Sequence, residues 1–223
     1  MPKLYVVPTP IGNLSDMTYR AVEVLKESDI IYCEDTRQSF KLLNHYGIQK
    51  SLFPLHKMNE YKIVDAIVQK IQAGMNLSLI SDAGTPCISD PGYILIKLCI
   101  EQGIEVECLP GATAFVPALV VSGFDTSEFV FLGFPPHKKG RQTFIKNIAL
   151  ENRTVVLYES PYRVLKFLEE FLEFVGDERI LSVSRELSKK FEETQRGRAS
   201  QLIESFKKKE PKGEFVIVVN RLN

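Results

Sequence analysis

Ser81-Asp82-Ala83-Gly84-Thr85-Pro86-Cys87-Ile88-Ser89-Asp90-Pro91-Gly92 decides the fold of this chain. It follows an apolar run, Leu77 to Ile80, that reads as a short buried strand. It precedes Tyr93 to Glu101, which reads as a helix. A tract of Gly, Pro, Ser and Asp between a strand and a helix is a loop. In an open α/β fold such a loop lies at the carboxyl edge of a parallel sheet, where ligands bind.

The same alternation extends in both directions. Upstream lie a strand at Leu4 to Val7 and a helix at Thr18 to Glu27, with Ser15 or Asp16 as its cap. A strand at Asp29 to Cys33, a helix from Glu34 to about His45 and a helical stripe over residues 60–73 follow. Downstream come a strand at Ile104 to Leu109 and a helix ending near Val121. This order predicts a largely parallel sheet in an N-terminal domain of residues 1–121. Ser122 to Ser127 is the expected connection. Residues 122–223 then predict a second α/β domain with a mixed sheet. Its strands are expected at Phe129 to Leu132, Thr154 to Tyr158, Arg179 to Ser184 and Glu214 to Asn220, and its helices over residues 141–149, 162–174 and 199–208. The unbroken apolar run Phe215 to Val219 predicts a central strand.

Of the 223 residues, 44% are hydrophobic and 25% charged, the balance of a globular protein. Formal net charge is zero. Residues 1–110 hold 10 Lys and Arg against 13 Asp and Glu, and the remainder holds 18 against 15, so a polyanion contact is expected on the second half. Overall neutrality counts against nucleic acid as a partner unless charge is clustered. Cys33, Cys87, Cys99 and Cys108 have no metal-ligand spacing. Cys33 and Cys108 read as buried small hydrophobes, and a reducing cytoplasm is expected. No signal peptide and no membrane-spanning run is expected.

Neither GxGxxG nor GxxxxGK[ST] occurs, which removes the common nucleotide loops, and no GxSxG supports hydrolase chemistry. Asp82 and Asp90 suit hydroxyls or a cationic centre of a ligand, and equally suit turn capping. Glu34-Asp35-Thr36-Arg37 places two carboxylates and a guanidinium at a strand end, where helix capping is the alternative. His56 to Glu60 brings a His, a Lys and an acid together. Lys207-Lys208-Lys209 has the composition of a solvated helix end.

Several segments carry a resemblance in order along the chain. They are Pro8 to Leu14, Glu34 to Arg37, Ser81 to Gly92, Pro110 to Ala114, Phe131 to Phe134, Tyr158-Glu159-Ser160-Pro161-Tyr162-Arg163, Arg185-Glu186-Leu187 and Gly213-Glu214. The sequence resembles the ribosomal RNA small subunit methyltransferase I family of the tetrapyrrole methylase-like superfamily. The resemblance implies two α/β domains of the class III methyltransferase type, with S-adenosylmethionine in a cleft between them. It implies a homodimer acting in the cytoplasm. The implied activity is 2′-O-methylation of a cytidine in the decoding region of 16S ribosomal RNA within the small ribosomal subunit.

Carried onto this chain, the implied cofactor pocket uses Pro10, Asp82, Gly84, Ile88, Ser89, Asp90, Thr113, Ala114, Tyr158, Ala199 and Gly213. Glu34, Asp35, His56 and Glu60 are the candidate bases, with Asp35 or Glu34 favoured. Arg37 and Arg163 are expected to clamp phosphate, and Lys57, Arg185 and Arg196 to contact RNA. No metal is expected. Many members continue past the final strand, so a further C-terminal RNA-contacting module is expected to be absent here. Two other readings stay open: methylation of a small tetrapyrrole-like substrate, and a non-enzymatic ribosome-associated binding protein.

Overall fold

The computed structural model describes residues 2–208 and 211–222, and the chain divides into two compact units, Met1–Thr113 and Ala114–Asn223.

The first unit is built on five strands: β1 (Lys3–Val6), β2 (Ile30–Cys33), β3 (Leu52–Pro54), β4 (Leu77–Leu79) and β5 (Glu105–Cys108). Their order is β3-β2-β4-β1-β5, and every pairing is parallel. Four helices connect them: α1 (Tyr19–Glu27), α2 (Thr36–His45), α3 (Glu60–Gln72) and α4 (Tyr93–Glu101). Strand alternation sends Leu4, Tyr32, Leu77 and Leu79 to one face, where Val64, Ile67 and Ile71 of α3 and Leu95 of α4 cover them. Ile31 and Cys33 point to the other face, against Ala21 and Leu25 of α1 and Leu43 of α2.

Two local expectations change. The cap of α1 is Thr18, whose side chain accepts from the Ala21 amide, while Ser15 and Asp16 belong to a separate 3₁₀ turn at Leu14–Asp16. Strand β3 escapes the sequence pattern because it is short, lies at the sheet edge and carries Pro54, which an edge position tolerates.

The second unit contains α5 (Phe115–Ser122), β6 (Phe129–Phe131), α6 (Arg141–Leu150), β7 (Thr154–Glu159), α7 (Val164–Phe174), β8 (Leu181–Arg185), β9 (Glu193–Gly197), α8 (Ala199–Lys208) and β10 (Phe215–Val219). Strand order is β6-β7-β10-β8-β9, with β6 and β7 parallel and the other pairs antiparallel. The sheet is therefore mixed, with β10 at its centre and every residue of that strand buried. One face packs Val155, Leu157, Leu181, Val183 and Ile217 against Phe167 and Phe171 of α7 and Phe206 of α8. Burial of each such side chain contributes about 2–3 kcal/mol. Strand β9 is polar and sits on the edge, which hides it from an apolar-run search.

Helix α5 packs on β7, β8, β9 and β10 and belongs to the second unit rather than closing the first. Cys33 is buried as expected, but Cys108 at the end of edge strand β5 is exposed. Among the described residues, no helix is long and apolar enough to cross a membrane, and no group of three His, Cys, Asp or Glu is placed to hold a metal ion.

Candidate functional site

The carboxyl ends of β1, β2, β4 and β5 carry the residues singled out in the first unit. Thr9 and Gly84 form an antiparallel bridge, exchanging amide-to-carbonyl bonds of 2.9 Å in both directions. The buried Thr9 hydroxyl donates to the Ser81 carbonyl at 3.0 Å, and the Ser81 hydroxyl donates to the Gly84 carbonyl at 2.9 Å. Pro10 is buried beside this bridge. The loop start is thus stitched to the strand that lies next to it in the sheet. Gly111 packs on Pro8, where an added Cβ would stand 2.5 Å from the Pro8 Cβ. Thr85 donates to the Ala112 carbonyl or shares a proton with the Thr113 hydroxyl, 2.7 Å away.

The loop end is held from a different element. Glu60, only 5% exposed, accepts the amides of Gly92, Ile94 and Leu95 at 3.0, 2.9 and 3.4 Å through one carboxylate oxygen. It serves as the acceptor for the N-terminus of α4, where Gly92 itself has no side chain to do so. Gly92 has φ +125°, and a Cβ there would meet Leu79 at 2.6 Å and Cys87 at 2.8 Å. Lys57 donates to the Ser89 carbonyl at 3.2 Å. Cys87 and Ser89 both adopt positive φ without being glycine, so the middle of the loop is held in strained backbone.

Four carboxylates share this edge, and burial raises three of them. Burial pushes the Asp90 carboxyl up to about 6, and the negative charge of Glu34 adds to the effect. Glu34 is raised by burial and by Asp82, with Lys57 opposing. Asp82 is raised chiefly by burial, although it accepts the Asp35 amide at 3.0 Å. Asp35 behaves oppositely. Its hydrogen bonds from Arg37 hold it down at about 2, and its side chain caps α2 by accepting the Arg37 amide. Carboxylates that crowd one another and lose water suit a ligand bringing cationic charge and hydroxyl donors.

The structure therefore sorts the candidate bases. Glu60 is committed to α4, and Asp35 to its own helix and to Arg37. The His56 amide donates to the Asn59 side chain at the α3 entrance. Glu34 keeps a carboxyl with raised proton affinity at the strand edge. The exposed Arg37 guanidinium is occupied by Asp35.

In the second unit, Tyr158, Arg163, Arg185 and Gly213 gather at one end of the sheet, where Glu159 of β7 and Arg185 of β8 both face Phe215 of β10. Tyr158 sits edge-on to Phe131 and beside Phe134. Gly213 has φ +91° and leaves no room for a Cβ, which would stand 2.4 Å from Glu186. Arg163 is not a free phosphate clamp. It donates at 2.9 Å to Glu159, a fully buried carboxylate that also receives Arg141 at 3.1 Å. Arg141 in turn reaches Glu170 at 2.6 Å. Arg185 pairs with Glu193 across the β8–β9 ladder at 2.7 Å.

Arg196 and Ala199 lie toward the other end of the sheet, where Gly197 pairs with Leu181. Arg196 is turned onto the Val121 and Ser122 carbonyls, closing the C-terminus of α5. Ala199 is fully buried and packs in the hydrophobic core of the second unit. Sequence reading passed over Thr9, Arg141 and Glu159 as site-shaping residues. Only the Glu159–Arg163 spacing of four carried a signal, and it is also the spacing of an ordinary helix pair.

The profile of the tetrapyrrole (corrin/porphyrin) methylases matches residues 3–203. The ribosomal RNA small subunit methyltransferase I of Thermotoga maritima is 44% identical over 220 residues, covering 99% of both chains. The protein of that name from Synechocystis is 48% identical over 217 residues, covering 97% of this chain and 78% of its own. Among solved structures, a cobalt precorrin-4 methyltransferase superposes with a TM-score of 0.72 at 17% identity, covering 98% of this chain and 94% of its own. A uroporphyrin-III-C-methyltransferase from Thermus thermophilus does so with a TM-score of 0.69 at 16% identity, covering 98% and 97%. These structural likenesses show the class III methyltransferase fold. With a near-full-length relative at this identity and a strand-edge loop built as described, the chain belongs to the ribosomal RNA small subunit methyltransferase I family of the tetrapyrrole methylases.

Proposed function

We propose that this protein transfers a methyl group from S-adenosylmethionine to the ribose 2′-oxygen of a cytidine in 16S ribosomal RNA, acting on the small ribosomal subunit in the cytoplasm as a homodimer. The observation that carries this reading is the 44% identity to a small subunit methyltransferase along 99% of both chains. The fold alone does not name the substrate, because the solved structures that share it act on macrocycles while the sequence relative is a ribosomal RNA methyltransferase.

The residues at the sheet edge fit the cofactor. S-adenosylmethionine carries a sulfonium, an ammonium and two ribose hydroxyls. Asp82, Asp90 and Glu34 offer acceptors whose mutual repulsion a cation relieves. Pro10, Gly84, Ile88, Ser89 and Thr113 are the further contacts we assign in the first unit, and Ala114, Tyr158 and Gly213 those in the second. When bound, the cofactor supplies an electrophilic methyl group. The protein supplies orientation, which is worth several orders of magnitude in rate. It also supplies a proton acceptor for the 2′-hydroxyl, which we assign to Glu34, because its carboxyl has the proton affinity that Asp35 lacks.

The test is single-turnover methylation of small subunits from cells lacking the enzyme, with labelled cofactor and mass spectrometry of the digested RNA. Glu34→Gln should slow the chemical step by about 10²–10⁴-fold with cofactor affinity kept, and Asp35→Asn by far less. Wild-type protein that labels no 2′-oxygen would remove the reading. A normal single-turnover rate in Glu34→Gln would remove the base.

A further inference from the structure

The entrance to α3 and the entrance to α4 are joined through Glu60, which accepts the amides on either side of Tyr93. Tyr61 follows Glu60 directly, so the two tyrosines start adjoining helices. Both rings stand in solvent: Tyr61 is 78% exposed and Tyr93 67%. Neither ring pairs with another aromatic among the described residues. Met58, three residues before Tyr61, is 89% exposed.

Three large side chains this exposed at one pair of helix entrances mark a candidate contact surface, and the neighbouring charges indicate its kind. Lys57 and Lys62 bracket Met58 and Tyr61 in the chain, and neither forms an ion pair among the described residues. Protein interfaces exclude such charge from their cores. Single-stranded nucleic acid asks for the opposite arrangement, open aromatic faces for the bases and interleaved cations for the phosphates. The patch also adjoins the strand-edge site: Lys57 donates to the Ser89 carbonyl within the loop, and its charge opposes part of the rise that burial gives the Glu34 and Asp90 carboxyls.

We propose that Tyr61 and Tyr93, with Met58 between cationic Lys57 and Lys62, form a stacking platform for unpaired RNA bases flanking the nucleotide that is methylated. This rests on the RNA methyltransferase reading above and adds a substrate-gripping surface to it. It also places an RNA contact on the acidic half of the chain, where net charge alone would not look.

The experiment compares wild-type protein with Tyr61→Ala/Tyr93→Ala and Tyr61→Phe/Tyr93→Phe. Steady-state methylation of unmethylated small subunits is measured together with S-adenosylhomocysteine titration. The alanine pair should raise KM for subunits roughly 10- to 100-fold, with cofactor affinity retained, and the phenylalanine pair should restore KM, because stacking needs the ring and not the hydroxyl. An unchanged KM in the alanine pair overturns the proposal while leaving the methyltransferase reading intact. An unchanged KM accompanied by altered self-association in sedimentation also overturns it, by making the patch a protein contact. Wild-type protein inactive on subunits removes both.

Discussion

Replacing Glu60 should loosen the strand-edge loop from its far end. One carboxylate oxygen, almost wholly buried, receives three backbone amides at the start of α4. Two of these bonds are short and one is long, so the loss is close to that of two bonds to a charged acceptor. Each is worth about 1.5–3 kcal/mol net, and part is regained where water reaches the exposed end of the helix. Glu60→Ala should therefore cost about 3 kcal/mol. Glu60→Gln keeps an acceptor oxygen and loses only the charge assistance, about 1 kcal/mol. For a unit of this size, the alanine variant should melt roughly 12 °C or more below wild type. Calorimetry reads this on the transition that belongs to the first unit. The functional counterpart is weaker binding of S-adenosylhomocysteine in the alanine variant, recovered in the glutamine variant. Stability within about 0.5 kcal/mol of wild type, or an equal loss in both variants, would refute the capping argument.

Two further outcomes follow from the same structure. Asp90 has a folded-state carboxyl raised to about 6 from an ordinary 3.8, so the native state holds the proton more tightly than the unfolded chain. Its contribution favours folding below about pH 4 and fades as pH rises to 6 and beyond, so Asp90→Asn should be more stable than wild type at pH 7.5, by about 1 kcal/mol after solvent screening, and not at pH 4. Cofactor affinity of the wild type should rise across the same window, and calorimetric titration in buffers of differing ionisation enthalpy should detect proton release. Arg163→Ala takes one of two guanidinium partners from the fully buried Glu159 and should destabilise the second unit by roughly 3 kcal/mol in urea. A variant of normal stability whose subunit binding merely loses salt dependence would return Arg163 to phosphate contact.

Much of the architecture could be read along the chain because burial imposes period. The stripes of α3 and α7 and the unbroken run of β10 are each determined by local hydrophobic order. The loop Ser81 to Gly92 was equally plain, since its glycines, prolines and aspartates cannot continue a strand or helix. Strands β3 and β9 were hidden because edge strands make half their contacts with water and need no apolar face. The unit boundary at Thr113 was hidden as well, because α5 is apolar all round and its periodicity does not name the sheet it covers.

For the site, the sequence by itself determined which residue types meet at which strand ends, because connectivity in a parallel sheet carries every strand's carboxyl end to one edge. It did not determine their roles. Glu34, Asp35 and Glu60 are the same chemistry on paper. Only the tertiary structure makes one a carboxyl of raised proton affinity, one a helix cap held at about 2 by Arg37, and one a buried acceptor for α4. The same holds for arginine: Arg163 faces a buried carboxylate, and Arg196 faces helix carbonyls. A charge is used by whatever partner the fold brings within about 3 Å of it, near in the chain for Arg163 and Glu159 and distant for Arg196 and the Val121 carbonyl, and the residue type alone does not name that partner.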